Sequence, residues 1–286
     1  MPELPEVETV RRGLEPVLLG RRIARVEQRR PDLRFPFPDA FVARLTGARV
    51  ETFTRRAKYL LAGLDTGETL IAHLGMSGRF SIVGDRRASG EAFYFSAPPD
   101  PAHTHVALET DAGARIEYND PRRFGFMLLA DTDALALHPA LKGLGPEPLG
   151  NEFNADVLAA AFARTRQPVK LALLNQQIVA GLGNIYVCEA LHRSGISPFR
   201  PANRVARKRL DPLVRAIADV LREAIAAGGS TLRDYADASG AQGAFQHRFD
   251  VYDRADAPCP RAGCGGVIRR RPQGGRSTFY CAMCQR

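Results

Sequence analysis

The residues best suited to chemistry open the chain, in MPELPEVETVRRGL. Trimming of an initiator methionine ahead of the small Pro2 leaves a secondary α-amine. Such an amine titrates near ~8, so part of it is neutral and nucleophilic at physiological pH. Glu3 stands next to it, and an amine beside a carboxylic acid forms a nucleophile and acid pair. The same letters also read as a short extended arm ending at a helix start, because proline suits both. Val7, Val10, Leu14, Val17 and Leu18 recur at three- and four-residue spacings and predict a helix starting just after Pro5. Its N-terminus disfavours the protonated amine, while Glu3 and Glu6 oppose that shift and can trade protons.

A second cluster lies near the other end. Cys259 and Cys264 flank PRAG, Cys281 and Cys284 flank AM, and the sixteen residues between the pairs suit one β-hairpin turning at QGG. Four thiolates on two knuckles make the closed tetrahedral site of one structural zinc, with no open position for chemistry, and this spacing favours it over unligated surface thiols. Arg269, Arg270, Arg271 and Arg276 ride on that hairpin. Cys188, alone in a helical stretch, reads as a small core residue.

The elements that position these groups differ along the chain. From 20 to 130, RIARVEQ, ETLIAHLGMSGRFSIV, HVALETDAGARIEYND and FGFMLLAD alternate in the manner of strands, with a hairpin turning at DAGA. This predicts an antiparallel sandwich or barrel. EPLGNEF reads as a linker, after which the period becomes helical, punctuated at Pro168 and GLGN, and VARKRLDPLVRAIADVLREAIAAGG predicts a further amphipathic helix. In NQQIVAGLGNIYVCEAL a helix is expected to end at Gly181 and another to be capped by Asn184, either as a plain junction or as an anion site. Lys and Arg number 40 against 31 Asp and Glu, a net charge of +9, and many arginines fall in doublets, which favours a polyanionic partner. No apolar run reaches membrane-spanning length and the start lacks a signal-peptide layout, so no membrane partner and a cytoplasmic location are expected.

Seven stretches, MPELPEVETVRRGLEP, RRAKYLL, HLGMSG, NDPRRFG, LGPEPL, NQQIVAGLGNIY and GRSTFYCAMCQ, together resemble the formamidopyrimidine-DNA glycosylases from the first residue to the last. The resemblance implies an α+β chain: an N-terminal helix and antiparallel β-sandwich over 1–135, a helix–two-turn–helix domain over 150–235 and a zinc ribbon over 250–286. It implies a monomer, associated with the bacterial nucleoid, that excises oxidised purines from double-stranded damaged DNA and cuts the strand. Pro2 is then the nucleophile, Glu3 the acid that assists sugar-ring opening and Glu6 the group that places it. Lys58 and Arg276 assist β- and δ-elimination. Met76, Arg122 and Phe124 fill the void left by the flipped base, and Arg123, His73, His103, Lys170 and Asn184 meet the DNA backbone. Read by residue type alone, Lys58 is a surface lysine and Met76 and Phe124 are core residues.

The chain departs from the family pattern in its four-residue first knuckle, where two is common, and in Thr165, where a lysine is expected; Arg164 and Arg166 are its possible substitutes. The stretch GGSTLRDYADASGAQGAF is the expected lid. Two rival functions are an endonuclease VIII-like glycosylase for oxidised pyrimidines, against which Leu4 and PRRFG argue, and a non-catalytic zinc-ribbon DNA-binding protein.

Overall fold

Pro5 stands in the first turn of α1, a helix over Leu4–Leu18. Proline sacrifices nothing there, because the first N–H groups of a helix have no intrahelical partner. The helix therefore begins before Pro5 and not after it, closed by a capping box between Glu3 and Glu6. The computed structural model describes residues 2–83, 100–230 and 243–286, so most of the expected lid lies outside the described residues. The chain divides into two compact units, Met1–Lys142 with Ile225–Ala244, and Gly143–Ala224 with Phe245–Arg286.

The first unit is a sandwich of two four-stranded antiparallel sheets, accompanied by α1 and the short helix α2 (Phe41–Leu45). One has the order β1 (Ile23–Gln28), β6 (Thr104–Thr110), β7 (Arg115–Asn119), β5 (Arg79–Val83). The other runs β2 (Val50–Arg56), β3 (Tyr59–Leu64), β4 (Glu68–His73), β8 (Phe126–Asp131). The β6–β7 hairpin turns where DAGA indicates. A single apolar cluster takes Val7, Val10, Leu14 and Leu18 from α1, Leu60, Ala62, Leu70 and Ala72 from one sheet, and Val106, Leu108, Ile116 and Tyr118 from the other. Each such aliphatic side chain contributes about 1.5–3 kcal/mol relative to exposure, so α1 is held as part of the core.

A charged contact adds register to this packing. Glu8 of α1 accepts from Arg55 of β2 at 3.2 Å, from Arg11 at 3.1 Å and from Arg12 at 2.8 Å. Burial pushes the Glu8 carboxyl upward, but the hydrogen bonds from Arg11 and Arg12 and the Arg11 and Arg55 charges outweigh it and hold the pKa below the usual range.

The chain passes between the sheets three times, from β1 to β2, β4 to β5 and β7 to β8, and the last two passages matter for the site. ETLIAHLGMSGRFSIV is two strands in different sheets, β4 and β5, joined by LGMSG. NDPRRFG likewise carries β7 of one sheet to β8 of the other.

The second unit holds α3 (Ala155–Ala163), α4 (Val169–Leu174), α5 (Asn184–Arg193) and most of α6 (Leu210–Ala226), followed by the hairpin β9 (Ile268–Gln273) and β10 (Arg276–Cys281). The hairpin turns at Gly274 and Gly275, both at positive φ, as QGG indicates. Three helix boundaries here differ from the sequence reading. The helix expected to end at Gly181 stops at Leu174, because Gln176 takes over the backbone groups that follow: its Nε2 donates to the Leu174 and Leu182 carbonyls and its Oε1 accepts from Gly181 N. The N-cap of α5 is Gly183, and the Asn184 side chain reaches elsewhere. The last helix also starts at Leu210, after a 3-10 turn over Arg207–Arg209.

Replacing Glu8 with alanine removes the carboxylate shared by Arg55, Arg11 and Arg12 while Arg11 keeps Glu15 at 2.8 Å, and the expected loss is about 1–3 kcal/mol at pH 7 by urea unfolding. Because the folded pKa lies below the unfolded one, this contribution is complete above pH 4.5 and is lost as pH falls through the lowered value. The gap between wild type and Glu8→Ala should therefore close in acid.

Candidate active site and nucleic-acid interface

Pro2 is buried, Glu3 is 3 % exposed and Glu6 is 2 % exposed. Glu6 Oε2 accepts from Glu3 N at 2.8 Å, and Glu6 Oε1 accepts from both the backbone N and the Oγ of Ser230 at 2.9 Å. Three donors on one carboxylate at a helix N-terminus make Glu6 an anchor. The backbone of Glu3, one peptide from the Pro2 nitrogen, is thereby fixed.

One end of the β2–β3–β4–β8 sheet gathers the next set. The register places Tyr59 opposite His73 and His73 opposite Phe126, with Lys58 at the β2–β3 turn beside them. Lys58 is 7 % exposed, the reverse of a solvated surface lysine. His73 stacks on Phe126 with ring centroids 5.1 Å apart and tilts against Tyr59 at 5.0 Å. Its Nδ1 accepts from Gly75 N at 3.0 Å, which leaves the proton of the neutral ring on Nε2. Burial first, then the charges of Lys58 and Arg34, push the His73 pKa down to about 4.

The last two passages between the sheets, through LGMSG and DPRRFG, meet at this end. A Cβ on Gly75, at φ +61°, would lie 2.3 Å from Gly125 N and Phe124 C, and one on Gly125 would overlap the Tyr118 hydroxyl. The glycines of HLGMSG and RRFG thus let the two loops touch. Asp120, fully buried, ties them: its carboxylate accepts from Ser77 Oγ at 2.6 Å, Gly125 N at 2.8 Å and Tyr118 OH at 3.4 Å. Ser77 Oγ in turn accepts from Arg122 N at 3.2 Å. Held this way, Met76 is 38 % and Phe124 44 % exposed, large apolar side chains presented outward, with the Arg122 guanidinium 5.0 Å over the Phe124 ring. Arg123 is exposed with a left-handed backbone, φ 57°. His103 lies at the end of a 3-10 turn, and its carbonyl accepts from Asp120 N at 3.0 Å.

In the second unit, Lys170 is fully buried and donates to Ser277 O at 3.1 Å and Thr278 Oγ1 at 2.8 Å. Asn184 Nδ2 donates to the same Ser277 carbonyl at 2.9 Å. Both side chains thus support β10, whose first residue, Arg276, is exposed. Arg164 and Arg166 are exposed without an ion pair among the described residues. The sulfurs of Cys259, Cys264, Cys281 and Cys284 lie within 4.8 Å of one another. A tetrahedral Zn–S₄ site has sulfur–sulfur edges of about 3.8 Å, and Cys259–Cys284 at 3.8 Å and Cys264–Cys281 at 3.5 Å match it closely, so these residues can hold a metal ion. Cys188 packs in the core beside Cys281, as expected.

Sequence reasoning missed Asp120, Ser77, Gln176 and Glu189. Glu189 is fully buried in α5 and accepts from the backbone N–H groups of Asp250, Val251 and Tyr252. Its signal is an acid inside the apolar run NIYVCEAL; for Asp120 it is the turn-forming Asp-Pro pair.

Comparison with known proteins gives first the class: enzymes that remove damaged bases from DNA. The chain superposes on the crystal structure of MutM (Fpg) from Thermus thermophilus with a TM-score of 0.85 at 39 % identity, covering 99 % of this chain and 98 % of that one. It matches wild-type Lactococcus lactis Fpg, crystallised with DNA containing N7-benzyl-Fapy-dG, with a TM-score of 0.85 at 33 % identity over all of both chains. Residues 1–127 match the formamidopyrimidine-DNA glycosylase N-terminal domain and 144–236 its H2TH domain. Formamidopyrimidine-DNA glycosylases of Phenylobacterium zucineum and Caulobacter vibrioides are 62 % and 59 % identical over the whole of both chains. The chain belongs to the formamidopyrimidine-DNA glycosylase family.

With its pKa near 4, His73 stays neutral from about pH 5 to pH 8, with its proton on Nε2. Proton-detected nitrogen NMR of the imidazole checks this; a ring that gains a proton near pH 6.5 contradicts it. The unfolded ring binds a proton the folded one refuses, so this contribution to stability is complete above pH 6.5 and is lost as pH falls toward 4.

Proposed function

We propose that this chain excises oxidised purines, 8-oxoguanine and formamidopyrimidines, from double-stranded DNA through the Pro2 amine and then cuts the strand by β,δ-elimination. The family is one of base-excision repair glycosylases with AP lyase activity. The observation that carries the reading to particular residues is the buried Pro2–Glu3 start of α1, anchored through Glu6 to Ser230. The damaged nucleotide is flipped out of the stack so that its sugar carbon meets the amine. Attack by the Pro2 nitrogen on C1′ expels the base; Glu3 protonates the ring oxygen as the sugar opens, and the nitrogen lone pair forms an iminium. A secondary amine leaves no N–H on that iminium, so it stays cationic and draws electrons through successive eliminations. Lys58 assists the first elimination and Arg276 the second.

Each unit brings its own DNA contacts, in segments 1–135, 150–235 and 250–286. Met76, Arg122 and Phe124 enter the vacated stack, where Arg122 pairs with the base opposite; their outward exposure supports this role. His73, as a neutral Nε2–H donor, His103, Arg123, and Arg164 or Arg166 take phosphates. Asn184 and Lys170 act through the Ser277 carbonyl, which they hold beneath Arg276. One zinc ion on Cys259, Cys264, Cys281 and Cys284 supplies structure alone, fixing the hairpin. The enzyme works in the cytoplasm at the nucleoid; no helix among the described residues is long and apolar enough to cross a membrane.

Borohydride reduction during turnover on an oxoguanine duplex tests the central step. The expected product is DNA linked to the N-terminal peptide; mass spectrometry that finds the adduct on a lysine overturns the assignment. Glu3→Gln should lose far more excision than DNA affinity, and equal losses would make Glu3 structural. Arg122→Ala should weaken preference for the base opposite oxoguanine by about 1–3 kcal/mol, while Arg123→Ala should weaken binding to all duplexes and flatten its salt dependence. Cys281→Ser should lose the metal and DNA affinity while the first unit stays folded.

A further inference from the structure

Beside the cysteine cluster, α5 carries an imidazole that neither base excision nor DNA binding uses. His192 is 3 % exposed, and its Nε2 lies 3.4 Å from Cys259 Sγ. Its Nδ1 is buried without a hydrogen-bond partner, 4.0 Å from Asp250 Oδ2. The surroundings are firmly placed. Asp250 is held by Arg193 Nε at 3.0 Å, and its backbone N–H donates to Glu189 at 2.8 Å. From the knuckle side, Arg261 donates to the carbonyls of His192 and Arg193. Cys259 and the end of α5 are thus linked through a side chain in each direction.

We infer that His192 is an outer-shell donor to the metal-bound thiolate of Cys259, an inference that rests on the zinc reading above. A neutral imidazole has one N–H, and a metal-bound thiolate has lone pairs but no proton. Only the tautomer with the proton on Nε2 gives the sulfur a donor. That tautomer also accounts for the other side of the ring: Nδ1 and the Asp250 carboxylate are then both acceptors, and they stand apart at 4.0 Å while Asp250 turns to Arg193. A proton on Nδ1 would instead draw the carboxylate into hydrogen-bond contact. Four thiolates around one Zn²⁺ carry excess negative charge, and an N–H aimed at one sulfur disperses it, so His192 strengthens the site without being a ligand. Arg261, inside the four-residue first knuckle, ties that knuckle to the His192 and Arg193 carbonyls at the end of α5.

The test uses the full-length chain loaded with ¹¹³Cd in place of zinc. Scalar coupling between the cadmium and the His192 ring proton on Nε2 is the expected result. Cadmium bound by the four cysteines without that coupling, or a ring proton on Nδ1, overturns the role of His192 alone; a chain that retains neither cadmium nor zinc overturns the zinc reading with it. In chelator competition, His192→Phe, which keeps a ring but removes the donor, should weaken metal affinity about tenfold. His192→Gln, which keeps an N–H, should recover part of the loss. Equal affinity in all three proteins contradicts the inference, and if the Phe variant does not fold, the coupling and the Gln variant still decide it.

Discussion

The carboxylate of Glu6 receives the Glu3 N–H on one oxygen and the Ser230 N–H and hydroxyl on the other, and the placement of the reactive end of the chain follows from that contact. A chain terminus is ordinarily the least ordered part of a domain. Here the first turn of α1 is fixed three ways: by the capping box, by the apolar face buried in the sandwich, and by the Glu8 cluster with Arg11 and Arg55. Ser230 comes from the segment after α6 that belongs to the same unit as the sandwich, so a residue more than two hundred positions away closes the anchor. The attack proposed for the Pro2 amine needs this kind of restraint, because misplacement by about 1 Å can cost a hundredfold in rate.

The sandwich serves the same end at its other functional edge. Two strand pairs cross from sheet to sheet through LGMSG and DPRRFG, and antiparallel register brings both crossings to the end where Tyr59, His73 and Phe126 align. Glycines let the loops touch, and the buried Asp120 carboxylate binds them into one body. Met76 and Phe124 can then be held outward against the hydrophobic effect, which would otherwise bury them. The second unit repeats the logic with different means, supporting an exposed Arg276 from below through Lys170, Asn184 and the Ser277 carbonyl.

Local patterning made the sandwich, the hairpin at DAGA and the cysteine ribbon readable, because period, turn chemistry and ligand spacing are local properties. Residue type misled at the site itself. Lys58 reads as solvated and is buried, while Met76 and Phe124 read as core and are exposed; such inversions are expected where function overrides the general preference. Only the motifs quoted for the family resemblance pointed to the roles proposed for these three. Asp120 and Glu189 left only a local signal and Gln176 none, and the partners of all three were not legible, since each satisfies backbone or hydroxyl groups whose positions exist only in the folded chain. Gln176 is also the reason the helix before GLGN stops early: its amide replaces the helical hydrogen bonds over 174–182.

If the Glu6 contact governs the reactive end, its two sides must act as one unit. A double-mutant cycle of Glu6→Gln and Ser230→Ala, read as single-turnover excision of oxoguanine with folding checked for every variant, measures this directly. The double variant is expected to be little slower than Glu6→Gln alone, with a coupling energy of about 1 kcal/mol or more. Losses that simply add would show that Ser230 and Glu6 act separately, and would contradict the claim that this contact positions the amine.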